Sequence, residues 1–188
     1  MTKDEMKKVV CQAIDVAAAK ILETVLRFES ELELGYKEMK TAVKVESYMK
    51  ELGLMPQTGL ALTGVKTCVD GGKKGPAIAV LAELDAVGTP DSPKADPLTG
   101  AAHTCGHFLQ MASMLAACTG IVKSGVMQDL AGSAVFFAVP AEEYVEIDYR
   151  KRLVKEGKIH FLGGKSELVY EGHFDDIDMA MMMHSQGN

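Results

Sequence analysis

The sequence predicts an α/β domain built on a mostly parallel sheet flanked by helices. Three almost continuously apolar runs, at 76–84, 133–139 and 177–183, indicate buried strands. Helical patterns separate these runs, and strands that alternate with helices are typical of parallel sheets. Since 47% of the 188 residues are hydrophobic and 24% are charged, the composition fits one globular domain or an incomplete larger one.

Two amphipathic helices are predicted at the start of the chain. Apolar residues recur at helical spacing from Lys3 to Phe28. A second, less regular pattern runs from Lys37 to Leu52 and ends at Gly53. Neither helix carries an obvious site, so we expect both to pack against the core.

The remaining elements follow from apolar patterns and turn residues. Residues 60–69 predict a strand, and the glycine-rich stretch 71–75 predicts a hairpin turn into the strand at 76–84. After a loop at 88–100, the expected elements are a helix at 108–122, a strand at 133–139, helices at 148–156 and 165–170, and a strand at 177–183. The methionines of that last strand are expected to fill the core: Met179, Met181, Met182 and Met183.

Charge and cysteine usage argue against several kinds of partner. The net charge of −6 and the lack of a basic stripe disfavour nucleic acid. No apolar run reaches transmembrane length, and the charged residues 1–5 do not resemble a signal peptide. The four cysteines lack disulfide-like spacing. We therefore expect a cytoplasmic protein with free thiols and no membrane association.

Metal-ligand residues follow the three apolar strands. Asp85 closes the first, Glu142 and Glu143 follow the second, and His184 follows the third. In open α/β sheets ligands bind at the carboxyl ends of the strands, and the tips of neighbouring strands are about 5–10 Å apart. The loop with Cys105 and His107 needs only to fold across the same edge, so four segments are expected to converge.

These side chains suit a metal-dependent hydrolase. A thiolate and an imidazole two residues apart, as at Cys105 and His107, are typical ligands of zinc and similar metals. Because Glu142 and Glu143 are adjacent, one can bind metal while the other acts as a general base. Each residue taken alone has an ordinary structural explanation, but their joint placement at strand ends favours a metal site.

The same segments, in the same order, resemble metal-dependent amidohydrolases of the aminoacylase, hippurate hydrolase and carboxypeptidase family. The matching stretches are ELGYKE at 33–38, LAELDA at 81–86, GAAHTCGH at 100–107, PAEE at 140–143 and the segment from Asp176 to His184. The resemblance implies a zinc-exopeptidase-like catalytic domain. It also implies hydrolysis of an amide bond in N-acyl or aminoacyl amino acids, or in small dipeptide-like substrates, by a hydroxide that two divalent metal ions generate.

The resemblance further implies a role for each residue. The expected metal ligands are Cys105, His107, Glu143 and His184. Cys105 would bridge two divalent ions, with zinc as the first expectation and manganese, cobalt or nickel as alternatives. Glu142 would be the general base, and Asp85 would orient a histidine ligand. His103 matches a family position that is not a ligand.

The chain also departs from the family pattern. Phe108 and Gln110 stand where the family has aspartate and histidine, and a charged insertion begins at 144–148 where it has glycines. Family members continue with a lid and dimerisation domain and a last histidine ligand. We therefore expect 1–188 to be the N-terminal portion of an incomplete catalytic domain, with the lid absent and little activity alone. The full-length form is expected to be a homodimer through the missing domain.

Two alternatives to a metallohydrolase stay open at this point. One is a non-catalytic module that keeps the fold without the chemistry. The other is a thiol-dependent hydrolase with Cys105 as nucleophile and His103 or His107 as its base. Metal content, chelator sensitivity and thiol alkylation distinguish these possibilities.

Overall fold

The structure is a computed structural model that describes residues 1–185, so the last three residues of the predicted domain lie outside it. The helices are α1 (Lys3–Glu29), α2 (Met39–Glu51), α3 (His107–Ser124), α4 (Ile147–Lys155) and α5 (Gly164–Tyr170). The strands are β1 (Gln57–Leu60), β2 (Gly64–Asp70), β3 (Lys73–Glu83), β4 (Val87–Gly88), β5 (Ala101–Ala102), β6 (Ala131–Val139) and β7 (Met179–Met182).

Five strands form the central sheet in the order β1-β2-β6-β3-β7. The neighbours β6, β3 and β7 are parallel, whereas β2 pairs with β6, and β1 with β2, in antiparallel fashion. The predicted α/β class is confirmed, and the parallel pairing holds for the three strands that lead to the predicted site. The short strands β4 and β5 form a separate antiparallel pair.

Helices cover both faces of the sheet. Alternate residues of β6 point to opposite faces, as the twofold repeat of a strand requires. Phe136 packs in one core cluster with Phe28 of α1 and Met111 of α3. Phe137 packs in the other with Leu153 of α4 and residues near α5. This two-sided burial explains why the sequence of β6 is continuously apolar.

The first predicted helix is confirmed almost to the residue. Thr2 and Glu5 form a capping box, in which the Thr2 hydroxyl accepts from the Glu5 N–H and the Glu5 carboxylate accepts from the Thr2 N–H. These bonds satisfy two backbone donors that a helix start otherwise leaves without partners. None of the helices within residues 1–185 combines the length and apolar content needed to cross a membrane.

Two predictions about the early strands are wrong. The strand expected at 60–69 is interrupted by a turn, because Ala61 and Leu62 have φ angles of 42° and 75°. The hairpin expected at 71–75 does not form, since β6 lies between β2 and β3. At Gly71 an added Cβ would lie 2.5 Å from the Leu130 carbonyl oxygen, so glycine here permits close passage of the chain rather than a hairpin turn.

The prediction that the last strand is buried is also wrong. Its methionines are exposed: Met179 by 52%, Met181 by 59%, Met182 by 39% and Met183, just beyond β7, by 71%. Within the described chain β7 pairs only with β3 and lies at the edge of the sheet. The apolar run identified a strand correctly but did not show what covers it.

Candidate metal centre

The carboxyl ends of β3 and β6 lie side by side. Glu83 pairs with Val139 in parallel register, and the Leu84 N–H donates to the Val139 carbonyl at 2.9 Å. β7 runs parallel to β3 on its other side. The segments that follow these three strands therefore begin at one edge of the sheet, where the start of α3 also lies against them.

Cys105, His107 and His184 come together at this edge. Each offers one ligand atom, and these atoms all lie within 4.8 Å of one another. The Cys105 Sγ is 3.3 Å from the His184 Nε2. The imidazole rings of His107 and His184 meet edge to face, with centroids 5.8 Å apart. The structure thus places a thiol and two imidazoles from two distant segments in one cluster.

His107 is the first residue of α3 and is 1% exposed. Its Nδ1 is 2.8 Å from the backbone carbonyl oxygen of Asp85 and donates to it. The other nitrogen, Nε2, is buried without a hydrogen-bond partner. An imidazole held through Nδ1, with Nε2 directed into a cluster of ligand groups, is the arrangement found in metal-binding histidines.

Carboxylates surround this unpartnered nitrogen. His107 Nε2 is 3.8 Å from Glu142 Oε2, 3.8 Å from Glu143 Oε1 and 3.0 Å from Glu83 Oε2. Glu83, His107 and Glu142 form a second group whose ligand atoms lie within 4.8 Å of one another. Together the two groups offer sulfur, nitrogen and oxygen donors, which fits a divalent cation of borderline softness.

Asp85 connects two of the predicted ligands. Its Oδ2 accepts from the Glu143 N–H at 2.9 Å. Its Oδ1 is 3.3 Å from His107 Nδ1 and is buried without a hydrogen-bond partner. The carbonyl oxygen of Asp85, rather than its carboxylate, makes the shorter contact with the histidine. One residue therefore orients the imidazole of His107 and the backbone of Glu143.

Sequence reasoning missed Glu83. This side chain is 1% exposed and accepts from Gln110 Nε2 at 3.0 Å, while Lys165 of α5 donates to its other oxygen. Gln110, which stands where the resemblance leads one to expect histidine, thus anchors Glu83. The available signal was spacing, because Glu83 and Asp85 are two residues apart at a strand end and so point to the same face.

Electrostatics of the site indicate a shortage of positive charge. Burial lowers the pKa of His107, but the adjacent carboxylates of Asp85 and Glu83 outweigh this and raise it to about 11, so a bound cation would displace a proton from this ring. Burial also raises the pKa of Glu83, yet the adjacent His107 and Lys165 bring it down to about 2. For Glu142, burial and the nearby charge of Glu83 raise the pKa. A bound cation would offset this excess of carboxylates.

His103 points away from the cluster. Its Nε2 lies 3.1 Å from the Phe28 carbonyl oxygen and 2.9 Å from that of Glu31, so it donates to the end of α1 and to the loop that follows. Its ring lies against Phe108, with centroids 5.4 Å apart. Phe108 and Leu109 also line a cavity of about 690 Å³ beside Cys105. The replacement of the family aspartate by Phe108 therefore makes this wall apolar.

Comparison with known proteins adds to this geometry. No protein-family model matches the chain. The N-acyl-L-amino acid amidohydrolase of Geobacillus stearothermophilus is 26% identical over 187 residues, which are 98% of this chain and 45% of that protein. Thermostable carboxypeptidase 2 of Saccharolobus solfataricus is 28% identical over 81% of this chain and 35% of its own length. The chain is therefore similar in sequence to proteins named as amidohydrolases and carboxypeptidases.

A solved structure has the same fold as this chain. The dinuclear metal-binding peptidase YXEP of Bacillus subtilis, from the M20 family, superposes with a TM-score of 0.71 at 21% identity. The match covers 92% of this chain and 44% of that one. The predicted resemblance and fold class are confirmed. The chain spans less than half the length of the curated relatives it matches.

Proposed function

We propose that this chain provides most of a metal centre that hydrolyses an amide bond in N-acyl or aminoacyl amino acids, or in small dipeptide-like substrates. The observation that carries the proposal is the buried, unpartnered Nε2 of His107, which faces three carboxylates beside Cys105 and His184. The names of the relatives support an amide substrate. In this proposal residues 1–188 form the N-terminal portion of a catalytic domain, and the longer protein is a homodimer.

Four residues would hold the metal: Cys105, His107, Glu143 and His184. We propose two divalent ions, with zinc favoured by the thiolate and imidazoles and manganese, cobalt or nickel as alternatives. When bound, such ions polarise the amide carbonyl and lower the pKa of water. Glu83 is close enough to His107 to join or to orient this set.

Glu142 would act as the general base. Its side chain is 36% exposed, in contrast to buried Glu83, and can therefore meet both solvent and substrate. Burial and neighbouring carboxylates raise its pKa, which makes the carboxylate a better proton acceptor. It would take a proton from the attacking water and pass it to the leaving amine. Lys165, 3.9 Å from Glu142 Oε1, would hold the carboxylate in place.

The structure disfavours Cys105 as a nucleophile. Burial and a hydrogen bond to Glu143 raise the pKa of its thiol. Nucleophilic cysteines have a lowered thiol pKa, because the thiolate is the reactive form. A thiol next to a carboxylate and two imidazoles is better suited to a cation that would itself remove the proton.

A cobalt-binding experiment tests the proposal. Cobalt(II) added to the metal-free chain is expected to give the near-ultraviolet charge-transfer band of a thiolate ligand. Cys105→Ser should abolish the band. Cys68→Ser, which changes an exposed thiol on β2 away from the site, is the matched control and should retain it. A folded wild-type chain without the band, or a band that survives in Cys105→Ser, would refute the metal centre.

A further inference from the structure

The backbone that carries Glu142 and Glu143 is strained and firmly held. Ala141 has a φ angle of 51°, which a residue with a Cβ rarely adopts. Its N–H donates to the buried carboxylate of Glu38 at 2.8 Å. The Glu143 N–H donates to Asp85. The side chains of Glu38 and Asp85 therefore hold the N–H groups of the residues on either side of Glu142.

Arg150 holds the carbonyl groups of the same two residues. Its Nη1 donates to the Ala141 carbonyl at 3.3 Å, and its Nη2 donates to the Glu143 carbonyl. Nη1 also donates to the Leu162 carbonyl at 2.7 Å. One planar guanidinium thus ties together the carbonyl groups of the residues before and after Glu142, and its rigid fork fixes their relative position better than a flexible ammonium would.

Burial makes this use of a charge unusual. Arg150 is 0% exposed, and within residues 1–185 it forms no ion pair with a carboxylate. A buried charge is costly unless its donors are satisfied, and here three backbone carbonyls accept from Nη1 and Nη2, while Nε has no hydrogen-bond partner. The aromatic rings of Tyr36 and Tyr144 also lie close to Arg150, with their centroids 5.5 and 5.8 Å from the guanidinium carbon. The surroundings are therefore built for a guanidinium.

The segment that supplies Arg150 is the charged insertion after Glu143. It is fastened to the loop after α1, because the Tyr36 hydroxyl donates to the Phe161 carbonyl at 2.9 Å and Lys37 pairs with Glu146 at 2.7 Å. Gly35 leaves the necessary room, since a Cβ there would lie 2.2 Å from Arg150 Nη2. The insertion is therefore packed against the site and not attached loosely to the surface.

We infer that Arg150 is a positioning residue of the metal centre, which aims Glu142 and Glu143 by fixing the carbonyls of Ala141 and Glu143. This inference rests on the proposed function. It gives the insertion a role in the site, in place of the glycine-rich backbone that the family resemblance leads one to expect. The residue would act through the loop and touch neither metal nor substrate.

The test compares cobalt affinity and the cobalt absorption spectrum of the 188-residue chain with those of Arg150→Lys. We expect affinity to fall about 10- to 100-fold, as is typical when a group that orients a metal ligand is lost. Arg152→Lys, an exposed arginine on the same helix, controls for the substitution itself. Leu153→Ala, a buried neighbour in the core, controls for lost stability and should leave the affinity of the folded protein unchanged.

Chemical rescue keeps the test decisive if Arg150→Lys folds poorly. Guanidinium ion added to Arg150→Ala should restore the cobalt spectrum, whereas methylammonium should not. Wild-type affinity in Arg150→Lys would overturn the inference, and so would an equal loss in Leu153→Ala or a lack of guanidinium rescue. If the wild-type chain binds no cobalt, the proposed function fails first, which separates the two outcomes.

Discussion

Glu38 provides a sharp prediction, because it is a fully buried carboxyl group that supports the loop of Glu142. It accepts from the Ala141 N–H and from the Thr63 hydroxyl, at 2.8 and 2.7 Å. Burial and, to a smaller extent, the charge of Asp85 raise its pKa from 4.5 to about 7. The perturbation is Glu38→Gln, which keeps the shape of the side chain and removes the titration.

The magnitude follows from linkage. Between pH 4.5 and 7 the folded chain keeps the Glu38 proton while the unfolded chain releases it, so stability falls as pH rises through this range. One pKa unit corresponds to about 1.4 kcal/mol, and the shift therefore removes about 2 to 3 kcal/mol from the free energy of unfolding between pH 5 and 8. Below pH 4.5, where both the folded and the unfolded chain carry the proton, Glu38 makes its full contribution to the free energy of unfolding.

Urea unfolding of both proteins at a series of pH values measures this difference. Relative to wild type, Glu38→Gln should gain stability by about 2 to 3 kcal/mol as pH rises from 5 to 8. Glu51→Gln, an exposed glutamate at the end of α2, is the control and should follow the wild-type curve. A Glu38→Gln curve parallel to wild type would refute the reasoning that burial holds the proton on Glu38.

Three further predictions concern the site and the core. Glu142→Gln should still bind cobalt. In a longer protein that contains this chain and hydrolyses amides, the same substitution should lower the rate about 10²- to 10⁴-fold. Loss of metal binding in Glu142→Gln would contradict the assignment of Glu142 as the general base. Gln110→Leu should lower the free energy of unfolding by about 1–3 kcal/mol, because Glu83 loses a buried donor; an unchanged urea midpoint would contradict that contact. Phe136→Ala, in the core, should lower the free energy of unfolding by about 3–5 kcal/mol, whereas Met181→Ala, on exposed β7, should lower it by less than about 0.5 kcal/mol. Similar losses for the two variants would contradict the exposure of β7.

Local patterns explain what could be predicted. The helical period of α1 and the apolar runs of β3 and β6 predicted these elements correctly, because each pattern is long and arises within its own segment. The gathering of Asp85, Glu142, Glu143 and His184 followed from a general property of strand ends. To predict that these side chains lie close together, it was enough to know that each follows a strand, without knowing the contacts between the segments.

Long-range pairing explains what could not be predicted. The turn at 71–75 looked like a hairpin because nothing local shows that β6, 60 residues later, inserts between β2 and β3. Arg150 and Glu38 act on a loop through bonds to backbone groups, which leave no motif in the sequence. Apolarity alone also cannot show that the methionines of β7 lack a covering element among the described residues.

The most direct test of the metal centre is anomalous X-ray diffraction from crystals of the chain grown with zinc. The account predicts an anomalous peak about 2.3 Å from Cys105 Sγ and about 2.1 Å from His107 Nε2, with Glu143 and His184 as further ligands. Glu142 should remain free to meet a water. Zinc found only at other residues, or Cys105 and His107 turned away from a common point, would contradict the central claim.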